Sequence, residues 1–169
     1  GIFGCTPPYL PLSAREDVLV FQTPPLSHDI EITGPVTVKL WASSSATDTD
    51  FTAKLLYIYP PTVDYPEGYH LNVCEGIIRA RSRDGSGTAR LLEPGEVYPY
   101  TIILEPTSTL FKKGHRIRLD ISSSNFPRFD FNPNTGEPLG EHTHTAVAHN
   151  VVYHDEDHQS HMLLPVIPT

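Results

Sequence analysis

Along this chain hydrophobic and polar residues alternate with a period of two. Val36, Val38, Leu40 and Ala42 interleave with Thr37, Lys39, Trp41 and Ser43, the pattern of a strand with one buried face. Phe51, Ala53, Leu55, Tyr57 and Tyr59 alternate in the same way with Thr52, Lys54, Leu56 and Ile58, and Ile117, Leu119 and Ile121 with Arg116, Arg118, Asp120 and Ser122. Further strands are expected over 17–21, 29–33, 73–82, 88–92, 97–104, 146–153 and 161–166. No stretch carries a capped apolar stripe at 3.6-residue spacing, so little helix is expected.

The 17 prolines and 11 glycines fall between these runs, as in Pro24-Pro25, Gly34-Pro35, Pro60-Pro61, Asp84-Gly85, Pro94-Gly95 and Lys113-Gly114. Proline fixes φ and cannot join a central ladder, while glycine tolerates positive φ, so these dipeptides mark turns. Many short strands with no helices between them predict an all-β domain, a sandwich or barrel. Two connections are long, 60–69 (PPTVDYPEGY) and 125–145 (NFPRFDFNPNTGEPLGEHTHT). An irregular stretch as long as the second is characteristically a functional or interface loop.

Composition narrows the reading. The 169 residues fit one domain with a sizeable core, and no repeat or second domain is visible. Twenty acidic residues against twelve basic ones give a net charge of −8, which repels phosphate backbones and argues against nucleic acid. No run approaches the length of a membrane span. The opening Gly1-Ile2-Phe3-Gly4-Cys5 carries no charged-then-apolar leader and reads as a cut within a longer protein. The compartment, cytoplasmic or secreted, stays open. Two cysteines are too few for a disulfide framework. Cys74 lies in an apolar run and reads as a buried thiol, with a Cys5–Cys74 bridge the alternative.

Catalytic chemistry is not evident. The serine clusters 43–45 and 122–124 lack the G-x-S-x-G elbow of an α/β-hydrolase; they end strand patterns, where serine side chains tie up backbone groups. Of nine histidines, six lie from His142 to His161. His142 and His144 share a face if extended, a spacing that can bind zinc, but no HExxH or CxxC set accompanies them. Asp48, Asp50 and Asp64 offer oxygen ligands without the spacing of a calcium loop, and a turn cap before Phe51 explains Asp48 and Asp50 as well. The aromatic residues Tyr9, Trp41, Tyr57, Tyr59, Tyr65 and Tyr69 suit sugar stacking, although alternation places most of them in a core. No cofactor or metal is therefore expected.

Several blocks resemble the C-terminal domain of the cocaine esterase and X-prolyl dipeptidyl peptidase family of α/β-hydrolases. They are DVLVFQTPPL (17–26), ITGPVTVKLWASSSATDTDFTAKL (32–55), GIIRARSRDG (76–85), LLEPGEVYPYTIIL (91–104), PTSTLFKKGHRIRLDISSSNFPRFDFNPNTG (106–136) and NVVYHDEDHQSHMLLPVIP (150–168). The resemblance implies a jelly-roll β-sandwich similar to galactose-binding domains, set after an α/β-hydrolase domain and a helical cap. The catalytic triad and oxyanion hole would lie in those earlier parts, so no catalytic residue is expected here. The parent would hydrolyse an ester or amide, and this domain would pack against the catalytic domain, stabilise it and help shape its cleft. Docking is expected through Phe3, Gly4 and Tyr9 and through Asn125, Phe126, Pro127, Arg128, Phe129, Asp130, Phe131 and Asn132. Asn125, Asp130, Asn132 and Asn134 would hold that loop by side-chain-to-backbone bonds. Family members have a further strand-forming stretch before the position of Gly1, so the resemblance also implies that the first strand or strands of the sandwich are missing. That would leave an exposed edge, covered in an isolated chain by homo-oligomerisation. The alternative to an accessory domain is an independent carbohydrate-binding module of the same fold.

Overall fold

The computed structural model describes residues 14–138 and 140–168. Among these are ten strands: β1 (Leu19–Gln22), β2 (Ile30–Gly34), β3 (Thr37–Ser44), β4 (Asp50–Tyr59), β5 (Tyr69–Arg79), β6 (Tyr98–Ile103), β7 (Thr107–Phe111), β8 (Arg116–Ser122), β9 (Asn150–Tyr153) and β10 (His161–Leu163). A 3-10 turn, Ala80–Ser82, follows β5. One sheet runs β1-β8-β4-β5. A second places β3 between β6 and, on its other side, β10 and β9 in succession, and β2 pairs with β7 in a ribbon. Every strand pairing is antiparallel.

The period of two decides what lies between the sheets. Val38, Leu40 and Ala42 of β3 face Phe51, Ala53, Leu55 and Tyr57 of β4 and Ile117, Leu119 and Ile121 of β8 in one cluster, joined by Tyr100, Ile102, Leu104, Ile32 and Phe111. Branched and aromatic side chains pack well on a pleated surface, and their burial is the main driving force for the sandwich. The fold is a β-sandwich, as the alternation predicts.

The structure corrects several of the sequence-based elements. Residues 88–92 form no strand, because their backbone bonds go to separate loops: Arg90 N donates to Arg81 O and Leu92 N to Thr47 O. The strand expected over 73–82 starts at Tyr69 and stops at Arg79. Ala80 N is taken by Thr49 O, and Arg83 N turns back to Ala80 O. The strands expected over 146–153 and 161–166 shorten to β9 and β10, and β7, five mostly polar residues, was not expected at all. β4 is buried on both faces rather than one, since it lies between β5 and β8 and its outward Lys54 is screened by charged neighbours.

Candidate docking surface

The long loop between β8 and β9 crosses one end of the sandwich, and two groups of buried charges hold it there. The first lies under residues 132–137. Asp48, fully buried, accepts Arg81 N at 3.0 Å, Arg81 Nε at 2.7 Å and Asn132 Nδ2 at 2.9 Å. Asp50 accepts Arg79 Nε and Nη2 at 2.9 and 3.0 Å and the same Asn132 amide at 2.8 Å. The bond to Asp50 holds the Arg79 guanidinium above its ordinary pKa. Arg81 Nη2 also donates to Glu137 O at 3.0 Å. Two carboxylates are tolerated here because each meets a guanidinium and accepts three hydrogen bonds; losing one partner would strand a buried charge. Within the loop, Asn132 Oδ1 accepts Asn134 N, and Asn134 Nδ2 donates to Ala146 O. Asn134 has φ 63°, a left-handed conformation that asparagine tolerates better than most residues.

The second group lies under residues 125–128. Glu75, on the outer face of β5 and 4% exposed, accepts Asn125 Nδ2 at 2.8 Å and Arg128 Nε at 2.7 Å, with Lys54 Nζ at 3.5 Å. Arg128 also pairs with Glu105. The loop is thus tied from below, while Phe126 (68% exposed) and Phe131 (47% exposed) face outward. Beside it a cleft of about 1070 Å³ is bounded by residues 122–128, 147–152 and 15–19.

The expected docking residues divide accordingly. Asn125 and Asn132 are internal anchors, and Arg128, itself half exposed, reaches in to Glu75. Phe126, Pro127, Asp130 and Phe131 are exposed, and Phe129 is half-buried beneath the Arg128 guanidinium, 5.8 Å from its ring. Of the asparagines expected to bond to backbone, Asn132 and Asn134 do so and Asn125 binds a carboxylate instead. Phe3, Gly4, Tyr9 and Cys5 lie outside the described residues. Asp48 and Asp50 are not the turn caps expected from sequence but half of an ion-pair cluster. The sequence signal that could have pointed to the cluster is the i, i+2 spacing that Asp48 and Asp50 share with Arg79 and Arg81, an opposite-charge match across paired segments.

The remaining candidates have structural partners. Cys74 is a free, buried thiol. Ser44 Oγ accepts Ala46 N and Ser45 Oγ accepts His149 N, the backbone-capping role expected of the serine clusters. His142 packs edge-on against Phe131, and His158 contacts Asp155 and the Trp41 ring. Among the described residues no three His, Cys, Asp or Glu side chains converge as metal ligands. Tyr57 is core and stacks on Tyr59 at 4.2 Å, whereas Trp41 sits on the outer face of β3, partly exposed.

Residues 7–163 match the X-Pro dipeptidyl-peptidase C-terminal non-catalytic domain. The chain belongs to this family. It is 42% identical over 161 residues to cocaine esterase of Rhodococcus sp. (strain MB1 Bresler), covering 93% of this chain and 27% of that protein. It is 33% identical over 167 residues to a putative serine esterase of Mycobacterium tuberculosis, covering 89% of this chain and 24% of that protein. Among solved structures, an aminopeptidase from the marine sediment archaeon Thaumarchaeota archaeon superposes with a TM-score of 0.85 at 30% identity, over 92% of this chain and 27% of that one. An α-amino acid ester hydrolase gives 0.84 at 33% identity, over 90% and 26%. The chain therefore spans about a quarter of each of these relatives, and it corresponds to their non-catalytic part.

Proposed function

We infer that this accessory domain serves a serine hydrolase of the acyl esterase or dipeptidyl peptidase type, to which it is joined in one polypeptide. It packs on the catalytic domain, raises its stability and forms part of the wall of its cleft. The observation that carries this reading is the loop 125–132, pinned to Glu75, Asp48 and Asp50 from within while Phe126 and Phe131 point outward. Holding the loop backbone on a rigid base lowers the entropy cost of docking, and aromatic residues are enriched at interface centres. The parent would hydrolyse an ester or an amide, such as an α-amino acid ester or an X-prolyl peptide, with its nucleophile in the catalytic domain.

The test is the double variant F126S/F131S in the whole hydrolase. Loss of the two rings should lower its unfolding temperature and raise KM for a p-nitrophenyl ester, while the same variant in the isolated chain unfolds almost as before. A hydrolase with unchanged stability and unchanged kinetics would remove this loop from the interface.

A further inference from the structure

The end of the sandwich opposite the docking loop has a surface of its own. Asp50, held by the loop residue Asn132, opens β4, and Tyr59 closes it. A strand of that length carries the chain about 30 Å from the loop. At the far end the connection 60–68 joins β4 to β5, and the turn 112–115 joins β7 to β8. The two lie side by side: the His115 ring is 5.1 Å from that of Tyr59, and Lys112 N donates to Tyr57 Oη at 2.8 Å.

The 60–68 hairpin loop is fixed from within. Thr62 N and Gly68 N both donate to Tyr65 O, at 3.0 and 2.9 Å, and Tyr65 N donates to Thr62 Oγ1 at 3.1 Å. Gly68 has φ 78°, and a Cβ there would meet Tyr59 O at 2.6 Å, so only glycine fills the position without strain. From Tyr65 a run of rings leads inward, 5.2 Å to Tyr69, 5.9 Å on to Tyr59 and 4.2 Å to the buried Tyr57. On this base Val63 is 98% exposed and Tyr65 51%. Asp64 and Glu67 flank them, exposed and without an ion-pair partner among the described residues. The neighbouring turn carries the opposite charge. Lys113 is exposed and likewise unpaired, while Lys112 binds Asp29 at 3.0 Å.

We propose that two copies of this chain pair through this end, each hairpin laying Val63 and Tyr65 on the 112–115 turn of the other, with Asp64 and Glu67 facing Lys113 across a twofold axis. Charge complementarity selects a second copy as the occupant. A twofold interface must be self-complementary, and here carboxylates and a free ammonium stand on adjacent loops of one surface. The net charge of −8 opposes contact between copies, and this arrangement sets opposite charges together in both halves of the interface. An apolar tip that is already rigid loses little further entropy on contact. Hairpin and turn supply fewer residues than the roughly 20–30 a side of a stable interface, so the dimer is weak and depends on concentration. The pairing goes beyond the accessory role and leaves the docking loop, at the other end, free.

Sedimentation velocity on a dilution series of the 169-residue chain tests this. The wild type should pass from monomer to dimer as concentration rises. D64K/E67K sets two lysines against Lys113, and Lys113→Glu sets a third carboxylate against Asp64 and Glu67. Each variant alone should therefore dimerise about a hundredfold more weakly. Mixed in equal amounts they should pair nearly as well as the wild type, because every hairpin then meets a turn of opposite charge. A wild type that stays monomeric at millimolar concentration overturns the proposal. So does a mixture that fails to pair. A dimer that both charge variants retain also overturns it and assigns the contact to another surface. The substituted side chains are exposed, so urea midpoints should match the wild type. Should a charge variant lose stability, Val63→Ser gives the second readout: a weaker dimer is expected, and an unchanged one refutes the contact. F126S/F131S should leave the dimer intact, so this result and that of the docking test stand apart.

Discussion

A single amide, Nδ2 of Asn132, donates to two buried carboxylates, Asp48 at 2.9 Å and Asp50 at 2.8 Å. Among the described loop residues no other joins both acids. Hydrogen bonds to charged groups contribute about 1.5–3 kcal/mol, and a stranded buried acceptor costs a similar amount. Asn132→Ala should therefore lower stability by about 2–3 kcal/mol, read as a shift in the urea midpoint. Asn132→Asp is nearly the same size yet should cost more at neutral pH, because it sets a third carboxylate against two others; if it unfolds at the wild-type midpoint, the amide is not the tie described here. Cys74 supplies a test that reads stability against pH. Burial chiefly, with Glu105 and Glu75 adding to it, pushes its thiol up to about 11, above the ~8.5 of an unfolded cysteine. The folded state thus keeps a proton that the unfolded state gives up. Stability from this group is complete below about pH 8.5 and is lost as pH rises toward 11. Tyr100, buried and pushed up to about 12, adds to the loss only at still higher pH. Urea midpoints measured from pH 7 to pH 10 should fall in the wild type and fall less in Cys74→Ala.

Among the elements, β5 and β6 are pinned by the smallest residue in the contact. A Cβ at Gly76 would meet Ile103 O at 2.5 Å and Leu104 Cα at 3.2 Å, and both are backbone atoms that no rotamer change can clear. Gly76→Ala should part the two sheet edges and cost about 3 kcal/mol, in the upper range of overpacking penalties. For a domain of this size that is roughly 6–12 °C in unfolding temperature; a shift of a degree or less would mean that the edges slide apart freely. Nothing in the sequence announces this role, because a glycine inside a strand pattern has several explanations. The same limit governs the other elements. β3, β4 and β8 were legible because one of their faces is unbroken hydrocarbon. β7 was not, since Thr107, Ser108 and Thr109 belong to a ribbon whose pairing with β2 is set by the tertiary fold. Residues 88–92 failed in the other direction, with a strand-like composition but no neighbouring strand to bond. The long loop between β8 and β9 was visible from its length and its lack of alternation. Its anchors were only partly visible, because Glu75 and Arg81 act through partners many residues away.

One hydrophobic cluster draws on both sheets, and this has a consequence for how the whole molecule comes apart. Among the described strands β9 and β10 pair only with β3, so they are the elements best placed to detach alone. Their Val152 and Met162, with Leu164 just beyond, lie partly buried against the common core. Ser160 Oγ accepts Trp41 N at 2.9 Å and donates to Tyr153 O at 2.5 Å. Stripping three half-buried apolar side chains from the core costs about 1 kcal/mol each, and the ladder bonds to β3 and the exposure of Val38 and Leu40 add to it. Against a total stability of about 5–15 kcal/mol for a domain, local detachment would consume a large part of what holds the whole. The arm and the sandwich should therefore unfold together. Trp41, the single tryptophan, reports the arm directly, since its ring lies 5.2 Å from that of His158 in the β9–β10 connection. Far-UV circular dichroism reports all the strands. The two signals should trace one urea transition with one midpoint; a tryptophan change completed at lower urea would show that β9 and β10 form a separate, weaker unit.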